Sequence, residues 1–64
     1  MDKEVLTVKQ VAEFLQMDER TIYKLAKQGD IQSFKVSNQW RFLRNDIESW
    51  VERKKSEIKE KRKW

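Results

Sequence analysis

Two helix-start signals, at Thr7 and at Asp18, stand so close together that this chain must turn sharply almost as soon as it begins to coil. Thr7 is a good N-cap, and Gln10, three residues on, completes a capping box. Leu6 and Val11 hold the two positions of a hydrophobic staple across that cap. Val8, Val11, Ala12 and Leu15 then recur at i, i+3, i+4 and i+7, which predicts a helix over 8–16 with one apolar face. Asp18 caps a second helix, with Met17 and Ile22 as its staple and Ile22, Leu25 and Ala26 as its buried side. Gly29, the sole glycine of the chain, ends it, because glycine takes the left-handed conformation without steric cost. Two helices joined by so few residues have the outline of a helix-turn-helix.

After Gly29 the apolar period changes from helical to two. In "IQSFKVSNQWRF", Phe34 and Val36 alternate with Lys35, and Trp40 and Phe42 alternate with Arg41. With "SNQ" as the turn and Asn38 as the residue best able to take a positive φ, this predicts a hairpin. Phe34, Val36, Trp40 and Phe42 would form its inner face, and Lys35 and Arg41 its outer one. Asn45 is expected to cap a third helix, with Glu48 closing a second box and Ile47, Trp50 and Val51 facing inward. Ile58 lies further along a similar stripe. Phe14 and Trp50 are read as core or core-edge residues. Beyond Val51 the text "ERKKSEIKEKRKW" is charged almost throughout. It is expected to continue as a solvated, fraying helical extension, with Trp64 disordered at its end. The expected fold is therefore mainly α with a two-stranded antiparallel wing, a winged helix-turn-helix in the order α-α-β-β-α. Residues 1–51 would be the domain and 52–64 the extension.

Several classes of chemistry are disfavoured. A chain of 64 residues builds one domain with a small core, and here there is no cysteine to staple it and no histidine to help hold a metal. Neither a Ser-His-Asp nor a Cys-His arrangement can be assembled, and a single glycine rules out the multi-glycine phosphate loops. Carboxylates remain, but so small a body offers little shelter for an acid–base pair. No enzyme, cofactor or metal is expected. The sequence has no apolar run near the ~20 residues of a membrane span and no signal-peptide stretch at its start, so the expectation is a cytoplasmic protein with no membrane contact.

Charge placement is more telling than the net value of +4. Residues 1–50 hold 8 basic and 8 acidic side chains, while 51–64 hold 7 basic and 3 acidic, so the excess sits in the tail. Within the neutral part, however, the span from Arg20 to Arg44 carries Arg20, Lys24, Lys27, Lys35, Arg41 and Arg44 against Asp30 alone. At 100° per residue the second helix turns Arg20, Lys24 and Lys27 away from its apolar side, with Thr21 and Tyr23 on the flanks. That ridge suits a DNA major groove, where Arg and Lys read guanine edges or phosphates and hydroxyls hold the backbone. Any surface helix is polar outside, so the ridge alone decides little. The hairpin supplies a second basic element in Lys35, Ser37, Asn38, Gln39 and Arg41. An extended tip of that kind can reach a minor groove, whose negative potential attracts arginine.

Taken in order, "LTVKQVAEFL", "RTIYKLAKQGDI", "FKVSNQWRF" and "NDIESWV" resemble the excisionase-type DNA-binding domains, small relatives of the MerR winged helix. The resemblance covers residues 6 to 51 without a gap. It implies double-stranded DNA as the partner, with recognition-helix contacts at Arg20, Thr21, Tyr23 and Lys24. Lys27 extends the same basic ridge. The wing contacts it implies are Lys35, the tip of Ser37, Asn38 and Gln39, and Arg41, with Trp40 bracing the wing from inside. A recombinase, or another copy of the chain on DNA, is a further partner it implies. Three positions depart from the pattern: Gln16 stands where the family usually has a turn glycine, Asp18 where it often has serine, and the wing tip has Asn38 in place of several glycines. A different class of function, a protein-interaction adaptor using the third helix and the charged tail, is the alternative.

Overall fold

Three helices and three short strands make up the computed structural model, which describes residues 4–61 and side chains through Ile58. In chain order they are β1 (Val5–Thr7), α1 (Val8–Leu15), α2 (Glu19–Gln28), β2 (Phe34–Val36), β3 (Gln39–Leu43) and α3 (Arg44–Lys61). The architecture is a winged helix-turn-helix.

Local signals fix the first half. The Thr7 hydroxyl accepts from the Gln10 amide at 3.1 Å, and the Gln10 side chain accepts from the Thr7 amide at 2.9 Å, so the capping box is complete. Asp18 Oδ1 accepts from the Arg20 amide at 2.8 Å at the head of α2. Both helices stop in the same way. Gln16 sits at φ 55° and ψ 50°, with its amide donating to the Glu13 carbonyl and that of Met17 to the Ala12 carbonyl. Gly29 sits at φ 77°, with its amide donating to the Ala26 carbonyl and that of Asp30 to the Leu25 carbonyl. Each is a Schellman closure that satisfies carbonyls otherwise left open. Gln16, where the sequence resemblance leads us to expect a turn glycine, is left-handed and bears the steric cost of its Cβ.

The sheet has the order β1-β3-β2, all antiparallel. Leu6 pairs with Phe42 and Thr7 with Arg41 on one side of β3; Lys35 pairs with Trp40 and Phe34 with Arg41 on the other. Val8, Val11, Ala12, Ile22, Ala26, Ile31, Phe42 and Ile47 form the buried cluster, with Leu6, Leu15, Met17, Leu25, Trp40 and Trp50 packed around it. Fully burying a side chain such as Ile22 or Ile47 contributes about 1.5–3 kcal/mol. No polar or charged residue among the described residues is buried, so the domain rests on apolar packing. On the far side, Lys54 lies 4.0 Å from Asp30 and 5.5 Å above the Trp50 ring, linking α3 to the turn after α2.

Several expectations need correction. The expected two-stranded antiparallel wing is present as β2 and β3, and the sequence missed a strand beside it, because Val5–Thr7 pairs with β3 as well as leading into the first cap. The turn contains two residues, Ser37 and Asn38, both at positive φ (51° and 67°), instead of the three of "SNQ". A shift of one residue reverses the faces of β2. Phe34 and Val36 therefore stand opposite Arg41 and Gln39 and are exposed, while Lys35 shares the side of Trp40. Asn45 is not a cap: α3 begins at Arg44, directly from β3, and Glu48 accepts from Arg44 Nε at 3.3 Å. Arg44 also reaches Glu4 at 3.0 Å; these two carboxylates, that of Glu4 first, hold its guanidinium above its usual pKa. Phe14, read as a core or core-edge residue, is 51% exposed and is in neither the buried cluster nor the residues packed around it. Trp50 is half-buried against the core, as read from the sequence, and its indole N–H has no partner among the described residues. Ile58 is exposed on α3, and Trp64 lies outside the described residues.

The two left-handed termini make opposite predictions. Gln16→Gly should stabilise the fold by about 0.5–1 kcal/mol by removing a Cβ from a left-handed site. Gly29→Ala should cost about 1 kcal/mol from backbone strain alone, since a Cβ there would meet nothing within 4 Å. Urea midpoints of the two variants, compared with the parent chain, measure both effects.

Candidate nucleic-acid interface

The outer side of α2 is set by what its inner side buries. With Ile22 and Ala26 in the core and Leu25 packed beside them, Arg20, Thr21, Tyr23, Lys24 and Lys27 all come to the surface. Arg20 lies 3.7 Å from Asp18, but its side chain is 92% exposed, so the pair is weakly held and the cation remains available. The ridge read from the sequence is present as a continuous exposed face.

On the wing, Ser37, Asn38 and Gln39 are exposed at the tip. Arg41 is half-buried and well supported: Nη1 donates to the Trp40 carbonyl at 2.8 Å and Nη2 to Gln39 Oε1 at 2.7 Å. Both acceptors are neutral, and no carboxylate among the described residues pairs with Arg41, so no described partner offsets its charge. Lys35 differs. Its ammonium sits 4.9 Å from the centre of the Trp40 ring, a cation–π contact on the side of the sheet opposite Arg41.

Between α2 and the wing runs a groove of about 320 Å³. Tyr23 lines it from α2, and Asn38, Gln39 and Arg41 line it from the wing. Four of the expected site residues therefore meet across one concavity. Arg20, Thr21, Lys24 and Lys27 continue along the exposed ridge outside it, and Lys35 and Ser37 do not line it either. The groove includes two charged residues that the sequence did not single out, Lys9 at the start of α1 and Glu19 at the start of α2. The pairing of Thr7 with Arg41 brings the first turn of α1 next to the wing; without that strand, Lys9 reads as one more solvated lysine.

Within this geometry, α2 offers an exposed basic helix and the neighbouring hairpin offers an arginine across a shared groove. The family model described as a helix-turn-helix domain matches residues 5–55. The chain belongs to that family. It is a helix-turn-helix protein, and DNA binding is the function the family supports. No curated protein and no solved structure matches it. Among the described residues no group of acidic, cysteine or histidine side chains could hold a metal ion, and no helix is long and apolar enough to cross a membrane.

The revised wing register has a measurable consequence. Because Lys35 packs on Trp40, Lys35→Ala should lower the stability of the free protein by about 0.5–1 kcal/mol, read from its urea midpoint. A lysine facing only solvent would leave the midpoint where it was.

Proposed function

We propose that this helix-turn-helix protein binds duplex DNA sequence-specifically and without catalysis, placing α2 in the major groove and the wing in the adjacent minor groove. The observation that carries the reading is the shared concavity, which is lined by Tyr23 of α2 and by Arg41 of the wing. Arg20 and Lys24 would read base edges or phosphates, Thr21 and Tyr23 would hold the backbone, and Lys27 would add attraction at the end of the ridge. Asn38 at the wing tip would enter the minor groove with Ser37 and Gln39 beside it, and Arg41 behind the tip would meet the flanking backbone. Lys35, held on Trp40, would serve mainly to stiffen the wing.

The excisionase-type resemblance supports a role as a small recombination directionality factor or a compact transcriptional regulator. A recombinase or a second copy on DNA would then be the protein partner. Repeated sites with bending of the duplex would mark the first role, and a single operator overlapping a promoter the second. A reading from another class, a protein-interaction adaptor, draws support from one feature. Exposed Phe14 and half-buried Val51 line a groove with Glu48 and Glu52 between α1 and α3, away from the residues of the α2–wing groove.

If four to six phosphates are neutralised, log K should fall against log salt with a slope of about −4 to −5 in a mobility-shift series. Replacing Arg20 and Lys24 with Glu should abolish the complex. Truncation after Val51 should leave it intact while removing any partner held by the tail. A chain that binds no duplex even at low salt would overturn the DNA reading.

A further inference from the structure

We propose that the groove between α2 and the wing holds one phosphate of the DNA backbone, gripped by Lys9 together with Tyr23 and Arg41. The inference rests on the placement of α2 in the major groove and the wing in the minor groove. In a duplex those two grooves are separated by a sugar–phosphate strand, so a body that enters both must accept that strand between them. The concavity between the two elements is where it would pass, and the residues there suit an anion. Lys9 is exposed and takes part in none of the described ion pairs. Arg41 spends its described hydrogen bonds on neutral oxygens and keeps its charge. Tyr23 is 48% exposed, leaving its hydroxyl accessible as a donor.

At the head of α1 the Gln10 amide is already satisfied by Thr7. The side chains that would attract the anion are each rooted in a different element. Lys9 stands two positions beyond Thr7, whose pairing with Arg41 ties the helix start to the wing, while Tyr23 is carried by α2. A single phosphate so held would fix the angle between recognition helix and wing on the duplex. Glu19 lines the same groove and is the one group there that repels an anion. Its presence gives the assignment a second test of opposite sign.

Two short labelled duplexes of unrelated sequence, titrated by fluorescence anisotropy across a salt series, provide the test. Lys9→Gln should weaken both by the same several-fold factor and reduce the steepness of the salt slope by about 1. Glu19→Gln should tighten both equally. A neutral methylphosphonate at the backbone position between the two occupied grooves should weaken the parent chain more than the Lys9→Gln variant, in which Arg41 and Tyr23 alone still meet that phosphate. Both substituted side chains are exposed, and circular dichroism melts check that the variants fold. A parent chain that binds with an unchanged slope in Lys9→Gln overturns the phosphate site alone. A Glu19→Gln variant that alters the preference between the duplexes also overturns it, by making Glu19 a base reader. A parent chain that binds neither duplex overturns the site and the DNA reading together.

Discussion

Phe42 is where the sheet and the helices of this protein meet, and most of the remaining structure follows from burying it. Its side chain is fully enclosed in the same cluster as Val8 and Val11 of α1, Ile22 of α2 and Ile47 of α3. Its backbone position on the middle strand faces Leu6 of β1. Truncating a large aromatic in a core costs about 3–5 kcal/mol, a heavy loss for so small a body. Strand alternation then dictates the neighbours. With Phe42 inward, Arg41 and Leu43 must point to the other face, while Trp40 follows Phe42. The wing's outward cation is thus a direct consequence of the packing beneath it.

Where the controlling forces are local, the sequence was easy to read. The Thr7–Gln10 box, the Asp18 cap and the glycine stop at Gly29 each depend on neighbours a few residues away, and all three are present. The apolar faces of the first two helices were equally plain, since Val8, Val11, Ala12, Ile22 and Ala26 are all in the core. Failures came where the outcome depends on distant partners or on a residue acting against its preference. Val5-Leu6-Thr7 looked like a lead-in to a cap, and nothing local reveals that it also pairs with β3, more than thirty residues away. Ser37 has no strong bias to positive φ, yet it occupies the first position of a tight two-residue turn, whose twist matches that of the strands. That one choice exchanged Lys35 with Phe34 and Val36 between faces. Asn45 reads as a cap because Glu48 stands three residues on to close a box, whereas β3 passes into α3 at Arg44 without a loop.

The candidate site divides in the same manner. Helical periodicity alone placed Arg20, Lys24 and Lys27 on the outer side of α2, and the structure exposes them there. Which of the polar residues face one another was not legible, because it depends on how the wing is anchored. The β1–β3 ladder supplies that anchor, closing a groove in which Tyr23, Arg41, Lys9 and Glu19 come together. The groove mixes both charge signs, Lys9 and Arg41 beside Glu19, an arrangement invisible to a count of lysines and arginines.

Reversal of β2 leaves Phe34 and Val36 in water on the border of the sheet, with one row of main-chain donors and acceptors open to solvent. Such a border invites a strand from another molecule. Here the invitation is kept short: β2 spans three residues, Lys35 interrupts its two apolar side chains, and the left-handed turn at Ser37 and Asn38 ends it abruptly. A margin so brief, and interrupted by a charge, is a poor seed for fibrous self-association.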